Sequence, residues 1–136
     1  MAETFHLSVQ TPERTVFDDA VVSLVAPGGA GYLGVLAHHA PLITDLVPGK
    51  LSLRDTSGSE RVFAISGGFM EVSRNHATIL ADTLESPEEV DLERAKEARD
   101  RAIERLKDTS GRWDEERARL ALLRALNRMR IKTGGF

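Results

Sequence analysis

The spacing of apolar residues changes once along this chain, at Ser86-Pro87-Glu88-Glu89. Before that point apolar and polar residues alternate, the period of strands buried on one face. After it, small apolar residues recur at helical spacing, and from Glu88 to Asp108 there is neither glycine nor proline. Strands need partners across a sheet and helices need a face to pack on. A chain with one such break therefore divides into a strand-built part and a helix-built part. The reading is a mixed, two-domain fold, with a β-sandwich over 1–86 and an α-helical hairpin over 87–136.

The first part is punctuated like a sandwich or flattened barrel. In FHLSVQT, Phe5, Leu7 and Val9 alternate with His6, Ser8 and Gln10. LSLRD and RVFAIS bracket TSGS, a hairpin signal. In GGFMEVSRNHATILAD the turn falls at Arg74-Asn75. In the second part, Ser86 is expected to cap a helix whose first position is Pro87, with Glu89 completing a capping box. Asp108-Thr109-Ser110-Gly111 breaks that helix, and a second runs from about Trp113 to Ile131.

The helical seams are thin. Asp91, Ala95, Ala98, Ala102 and Leu106 share one stripe, and Ala118, Ala121, Leu122, Ala125 and Met129 another. Alanine lets antiparallel helices approach closely but buries little area. At about 25 cal/mol per Å² such a pair is marginal alone. It needs a further surface to pack on, or it moves.

Charge follows the same division. The total is −3 over 136 residues. Up to Ser86 there are five basic and ten acidic residues, a balance of −5; the remainder carries 13 and 11, a balance of +2. No basic excess is present to neutralise phosphates, which argues against a nucleic-acid partner. Cysteine is absent, so disulfides, thiolate metal sites and a Cys nucleophile are excluded. No apolar run is long enough to span a membrane. The opening MAETFHLSVQ lacks the basic start and apolar stretch of a signal peptide. These features lead to the expectation of a cytoplasmic or membrane-peripheral protein.

Few residues suggest chemistry. Pro27-Gly28-Gly29-Ala30-Gly31 follows a strand but lacks the Lys-Ser/Thr ending of a phosphate loop, and reads as a turn. On an extended segment the adjacent His38 and His39 would point to opposite faces, and no third ligand is near, so no metal site is expected. Ser66, His39 and Asp82 form a triad only on paper, so no catalytic residue is assigned. Gly67-Gly68 reads as a bulge or bend. Arg94 and Arg101 lie seven apart, and Arg124 and Arg128 four apart. In a folded hairpin the two pairs can converge on a phosphate chain. A solvated face with partners such as Glu97 to Arg101 explains the same residues.

Three segments together resemble one family. Gly31 to Gly49, GYLGVLAHHAPLITDLVPG, is similar to a "GILPxHAPL … PG" pattern, and Phe63 to Asp82, FAISGGFMEVSRNHATILAD, to "SGGFxEVxxNxVTVLAD". Val90 to Arg99, VDLERAKEAR, is similar to a helix-one motif. The family is the epsilon subunit of F-type ATP synthases, called delta in mitochondria. The resemblance implies a sandwich of about ten strands and an antiparallel helix-turn-helix. It implies a non-catalytic central-stalk subunit bound to gamma and to the c-ring, meeting the membrane only indirectly, at the cytoplasmic face of a bacterial plasma membrane. The hairpin is implied to fold down or to extend toward the alpha-beta hexamer and inhibit ATP hydrolysis. No cofactor is implied as required. A regulatory ATP is implied at Glu85, Asp91, Arg94, Arg101, Arg124 and Arg128, where Val90-Asp91-Leu92-Glu93-Arg94-Ala95 matches an Ile/Leu-Asp-x-x-Arg-Ala motif. Tyr32, His38 and His39 are the implied c-ring and gamma contact region. A free-standing ATP-sensing switch is the alternative.

Overall fold

The computed structural model describes residues 2–134. Nine strands precede two helices: β1 (Phe5–Gln10), β2 (Thr15–Gly28), β3 (Gly31–Leu36), β4 (Leu42–Leu46), β5 (Gly49–Asp55), β6 (Glu60–Ile65), β7 (Gly68–Ser73), β8 (His76–Ala81), β9 (Leu84–Glu85), α1 (Leu92–Lys107) and α2 (Glu115–Thr133). The chain separates into two compact units, the first ending at Leu84 and the second beginning at Glu85. This matches the β-sandwich and helical hairpin expected from the residue pattern.

The long strand β2 organises the first unit. Thr15 to Val21 pair with β1, and Ser23 to Gly28 pair with β3. Val21 to Val25 pair with β5, with a register shift between Val21 and Ser23. The strand order is β1-β8-β7-β4-β2-β5-β6-β9, and β1 also pairs with β2, so five strands close into a ring. The closing pair β1–β8 is parallel, with His6 opposite His76.

Alternation decides which face is buried. Leu7, Val9, Val21, Leu24, Leu51, Leu53, Ile65, Met70 and Ile79 are almost wholly removed from water. Phe5, Leu7 and Val9 point inward, as the period of two requires. Burying each side chain of this size contributes about 1.5–3 kcal/mol.

The hairpins form where turn chemistry predicts them. Arg74 and Asn75, at φ 52° and 59°, make the two-residue connection between β7 and β8. Both central residues of a type I′ turn need positive φ, and Asn tolerates it well. Gly29 and Ala30 are a two-residue connection between β2 and β3, with the positive φ, 130°, at the following Gly31, so the glycine-rich run is a turn. In the β5–β6 turn, the Asp55 carboxylate accepts from the Ser57 hydroxyl and from the backbone N–H groups of Ser57 and Ser59. The Ser57 hydroxyl chiefly, with those amides and Arg61, holds the Asp55 carboxyl below its ordinary value.

The hairpin departs from expectation at its start. Ser86 does not cap a helix: α1 begins at Leu92, and Asp91 is its N-cap, accepting from the Arg94 N–H at 3.1 Å. Ser86 and Glu89 close a separate turn instead. Glu89 N–H donates to the Ser86 carbonyl at 3.0 Å, and Ser86 N–H donates to the Glu89 carboxylate at 3.0 Å. The carboxylate reaches back as in a capping box, but the chain then extends through the buried Val90. Asp114 caps α2, accepting from Arg117 N–H, and Gly134 ends it with φ 75°.

α1 and α2 pack on each other. Ala95 and Ala102 are buried seven residues apart on α1, and Ala118 and Ala125 seven apart on α2. The intervening Ala98, Ile103, Leu106, Leu122 and Met129 are only half-buried. The seam is as thin as the sequence implies. No helix among the described residues is long and apolar enough to cross a membrane.

Candidate functional site

The residues singled out from sequence fall in two regions. Within the second unit, the six expected nucleotide residues are distributed along the hairpin. Glu85 and Arg128 are joined by a 2.5 Å ion pair, each side chain largely buried. Asp91 is engaged as a cap. Arg94 and Arg101 are exposed on α1, and neither pairs with a carboxylate among the described residues. Arg124 is half-buried and lines a groove at the turn end of the hairpin, beside Arg105. Arg101 lines the adjoining groove with Trp113 and Asp108. Arg99 sits between its carboxylate neighbour Asp100, at 2.9 Å, and the Met129 sulfur, at 4.0 Å.

At the helix connection, Asp108 accepts from the Ser110 N–H at 2.9 Å. The Ser110 side chain first, then its amide, and also the Trp113 side chain hold the Asp108 carboxyl below its ordinary value. Because the folded-state value is the depressed one, Asp108 supports the turn at neutral pH. That support begins to fade as pH falls below about 4, the ordinary carboxylate value, and is gone below the depressed one. Trp113 emission should shift over this acid range, and an Asp108→Asn chain should lack the shift. An identical titration in both chains would contradict this.

The second region lies in the first unit. Tyr32 stands near the start of β3; its ring is exposed and its hydroxyl accepts from Lys50 N–H at 2.9 Å. His38 and His39 follow the other end of the same strand. At about 3.3 Å per residue, roughly 13 Å of strand separates Tyr32 from Leu36, two residues before His38. The histidine pair is not extended: His38 has φ 64° and lies in a turn. Asn75 fixes that turn by accepting from His38 N–H at 2.8 Å, while its amide donates to the Thr4 carbonyl. The His38 ring faces Glu3 at 3.5 Å, and the His39 ring meets the Ala40 carbonyl. The paper triad does not assemble, since Ser66 is buried and its hydroxyl accepts from the N–H and hydroxyl of Thr83.

Two features escaped the sequence reading. Ile43, Phe69 and Leu80 are 74%, 61% and 54% exposed, far more than large apolar residues usually are. They are neighbours: Phe69 pairs with Asp45 on β4 and with Leu80 on β8, and Ile43 pairs with Glu71 two residues along β7. Their signal is apolar residues on both parities of LITDL and GFMEVS. The other is the set of arginines around Trp113, hidden among the many charges of two helices.

The strand-built unit and the helical hairpin are the two parts of one known class. The family models of the ATP synthase Delta/Epsilon chain match residues 4–87 as its beta-sandwich domain and residues 88–133 as its long alpha-helix domain. The chain belongs to the ATP synthase delta/epsilon chain family. A protein of Desulforamulus reducens named ATP synthase epsilon chain is 44% identical over 130 residues, 96% of this chain and 98% of that protein. One of Syntrophomonas wolfei with the same name is 46% identical over 131 residues, 96% of each. Among solved structures, a chain in the Euglena gracilis mitochondrial ATP synthase (OSCP/F1/c-ring) has a TM-score of 0.79 at 23% identity, covering 88% of this chain and 76% of that one. A chain in the Tetrahymena thermophila central stalk/c-ring structure has a TM-score of 0.61 at 20% identity, covering 98% and 96%. These two likenesses concern the fold.

Proposed function

We propose that this chain is a non-catalytic rotor subunit of a proton-translocating F-type ATP synthase, working at the cytoplasmic face of a bacterial membrane that it does not enter. In this reading the strand-built unit binds gamma and the c-ring and turns with them. The hairpin regulates, reaching toward the alpha-beta hexamer to restrain ATP hydrolysis. Family membership supports the assignment to the complex. The division of labour rests on one observation: a tightly packed sandwich is joined to a hairpin held by an alanine seam. The first is built to transmit load. The second is weakly held, so that two packings of it can differ by only a few kcal/mol, as a switch requires.

ATP is the proposed regulatory ligand, at Glu85, Asp91, Arg94, Arg101, Arg124 and Arg128. Arg94, Arg101 and Arg124 favour it, having no carboxylate partner among the described residues. The Glu85–Arg128 pair then holds the site's base together. Tyr32 and the His38–His39 turn are proposed contacts for the c-ring and gamma, and at opposite ends of β3 they serve two separate contacts.

Removal of residues 87–136 tests the regulatory half. The truncated chain should still assemble with gamma, because the core lies wholly before Glu85. The assembled enzyme should hydrolyse ATP several-fold faster than with the full chain, each tenfold corresponding to about 1.4 kcal/mol. An unchanged rate in a fully assembled complex would remove inhibition from this reading.

A further inference from the structure

The turn end of the hairpin carries a concave, strongly basic surface that regulation through Arg94, Arg101 and Arg128 does not use. A groove of about 680 Å³ opens there, lined by Arg105, Arg112, Trp113, Asp114, Arg117 and Arg124 together with alanine and leucine side chains. Its arginines come from α1, from the connection and from two positions about two turns apart on α2. The Arg105 guanidinium lies 4.4 Å from the centre of the Trp113 ring, and that of Arg112 5.1 Å. One indole therefore gathers two cations, as aromatic rings do.

Four guanidiniums face one carboxylate in this groove. That carboxylate, Asp114, already accepts from the Arg117 N–H as the cap of α2. None of the four arginines forms an ion pair among the described residues. Arg99, Arg119 and Arg128 on the same helices do, with Asp100, Glu115 and Glu85. Asp108, on the adjoining groove, is engaged by Ser110. Like charges held together at the rim of a cavity repel, and the repulsion is relieved by an anion of high charge density. The planar fork of a guanidinium matches phosphate oxygens two at a time, which an isolated ammonium does not. The volume lies within the range of small-ligand sites.

We propose that this groove binds a polyphosphate chain, centred on Arg105, Arg112 and Arg117, with Arg124 at its inner edge. Inorganic pyrophosphate and the phosphate tail of a nucleotide share that chemistry. The site stands whether or not the chain works within a synthase. It shares only Arg124 with the regulatory set above.

Trp113 is the single tryptophan and lies in the site, so its fluorescence reads occupancy directly. The full chain is titrated with sodium pyrophosphate and, separately, with ATP, at constant ionic strength. Pyrophosphate is expected to give a saturable change in Trp113 emission. Arg112→Ala/Arg117→Ala should raise its Kd at least about tenfold, since hydrogen bonds to charged groups are lost. Arg130→Ala, outside the groove, should leave it unchanged. Titration calorimetry on the same chains, with helical content checked by circular dichroism, separates binding from altered quenching. A response to ATP without one to pyrophosphate would overturn the proposal, since the base would then be the recognised part. So would saturation by an acidic peptide alone, or an unchanged Kd in the folded double variant.

Discussion

A Gly68→Ala chain is expected to melt at least about 10 °C lower than the parent, or not to fold its strand-built unit at all. Gly68 opens β7, opposite Leu46 on β4 and Ala81 on β8. Its φ is 146°, which L side chains rarely adopt, and a Cβ there would lie 2.1 Å from the Leu80 carbonyl oxygen and 3.0 Å from the Ala81 Cα. Both obstacles are backbone, so neither can rotate aside as a side chain would. Relief means parting β7 from β8 within the ring of strands. Backbone strain of about 1–3 kcal/mol adds to an overpacking cost of about 1–3 kcal/mol. Total stabilities are only about 5–15 kcal/mol, and 1 kcal/mol moves the Tm of a small domain by about 4–8 °C. Gly58→Ala supplies the comparison. Its φ is also positive, at 89°, but nothing lies within 4 Å of the new carbon. Only the conformational cost remains there, about 1 kcal/mol. Thermal denaturation followed by far-ultraviolet circular dichroism measures both. Equal shifts would show that the close approach to Leu80 is unimportant.

Phe69→Asp should do the opposite, sparing the fold and weakening assembly. The Phe69 side chain points outward between Leu80 and Asp45, with Ile43 beyond, while Met70 and Val72 on the same strand carry the packing. Exposed substitutions of this kind change stability by about 0.5 kcal/mol or less. If the strand-built unit meets gamma through this face, a central aromatic anchor replaced by a carboxylate costs at least about 2 kcal/mol, or roughly 30-fold in affinity. Ile43→Asp on the same face should give a similar loss. Affinity measured between purified gamma and each variant decides the matter. Binding as tight as the parent's in both would move the contact off this face.

How much could be read from the sequence differs between the two units for a physical reason. Period-two alternation and short turns are local, and they correctly gave the inward face of β1 and the Arg74-Asn75 turn. The helix start was missed because Ser86-Pro87-Glu88-Glu89 satisfies the same local rules as a cap while closing a free-standing turn. Asp91, five residues on, is the stronger acceptor at the real terminus. The extended reading of His38-His39 failed because a contact from far along the chain, the Asn75 side chain, fixes the left-handed turn. Distance explains the site as well. Arg105, Arg112, Trp113 and Arg117 become neighbours only when the hairpin folds, and as letters the arginines merge with the 15 other lysines and arginines and with the acids between them. The exposed Ile43, Phe69 and Leu80 are recognisable only once the registers of three strands are known.

The closure of the ring by β1 and β8 has a consequence for how this chain comes into being. Gln10 at the end of β1 lies opposite Leu80, and Leu7 opposite Ala77, so the first strand waits for the eighth. Contacts separated by some seventy residues are slow to form, because the loop must close before anything rewards it. During synthesis, β1 and β2 emerge early, with the apolar faces of both strands uncovered until residue 81 has left the ribosome. At about 5–20 residues per second that interval lasts several seconds. The hairpin follows immediately behind, local in its contacts and quick to coil. The nascent chain therefore completes its strand-built unit only when its helical one is already being made.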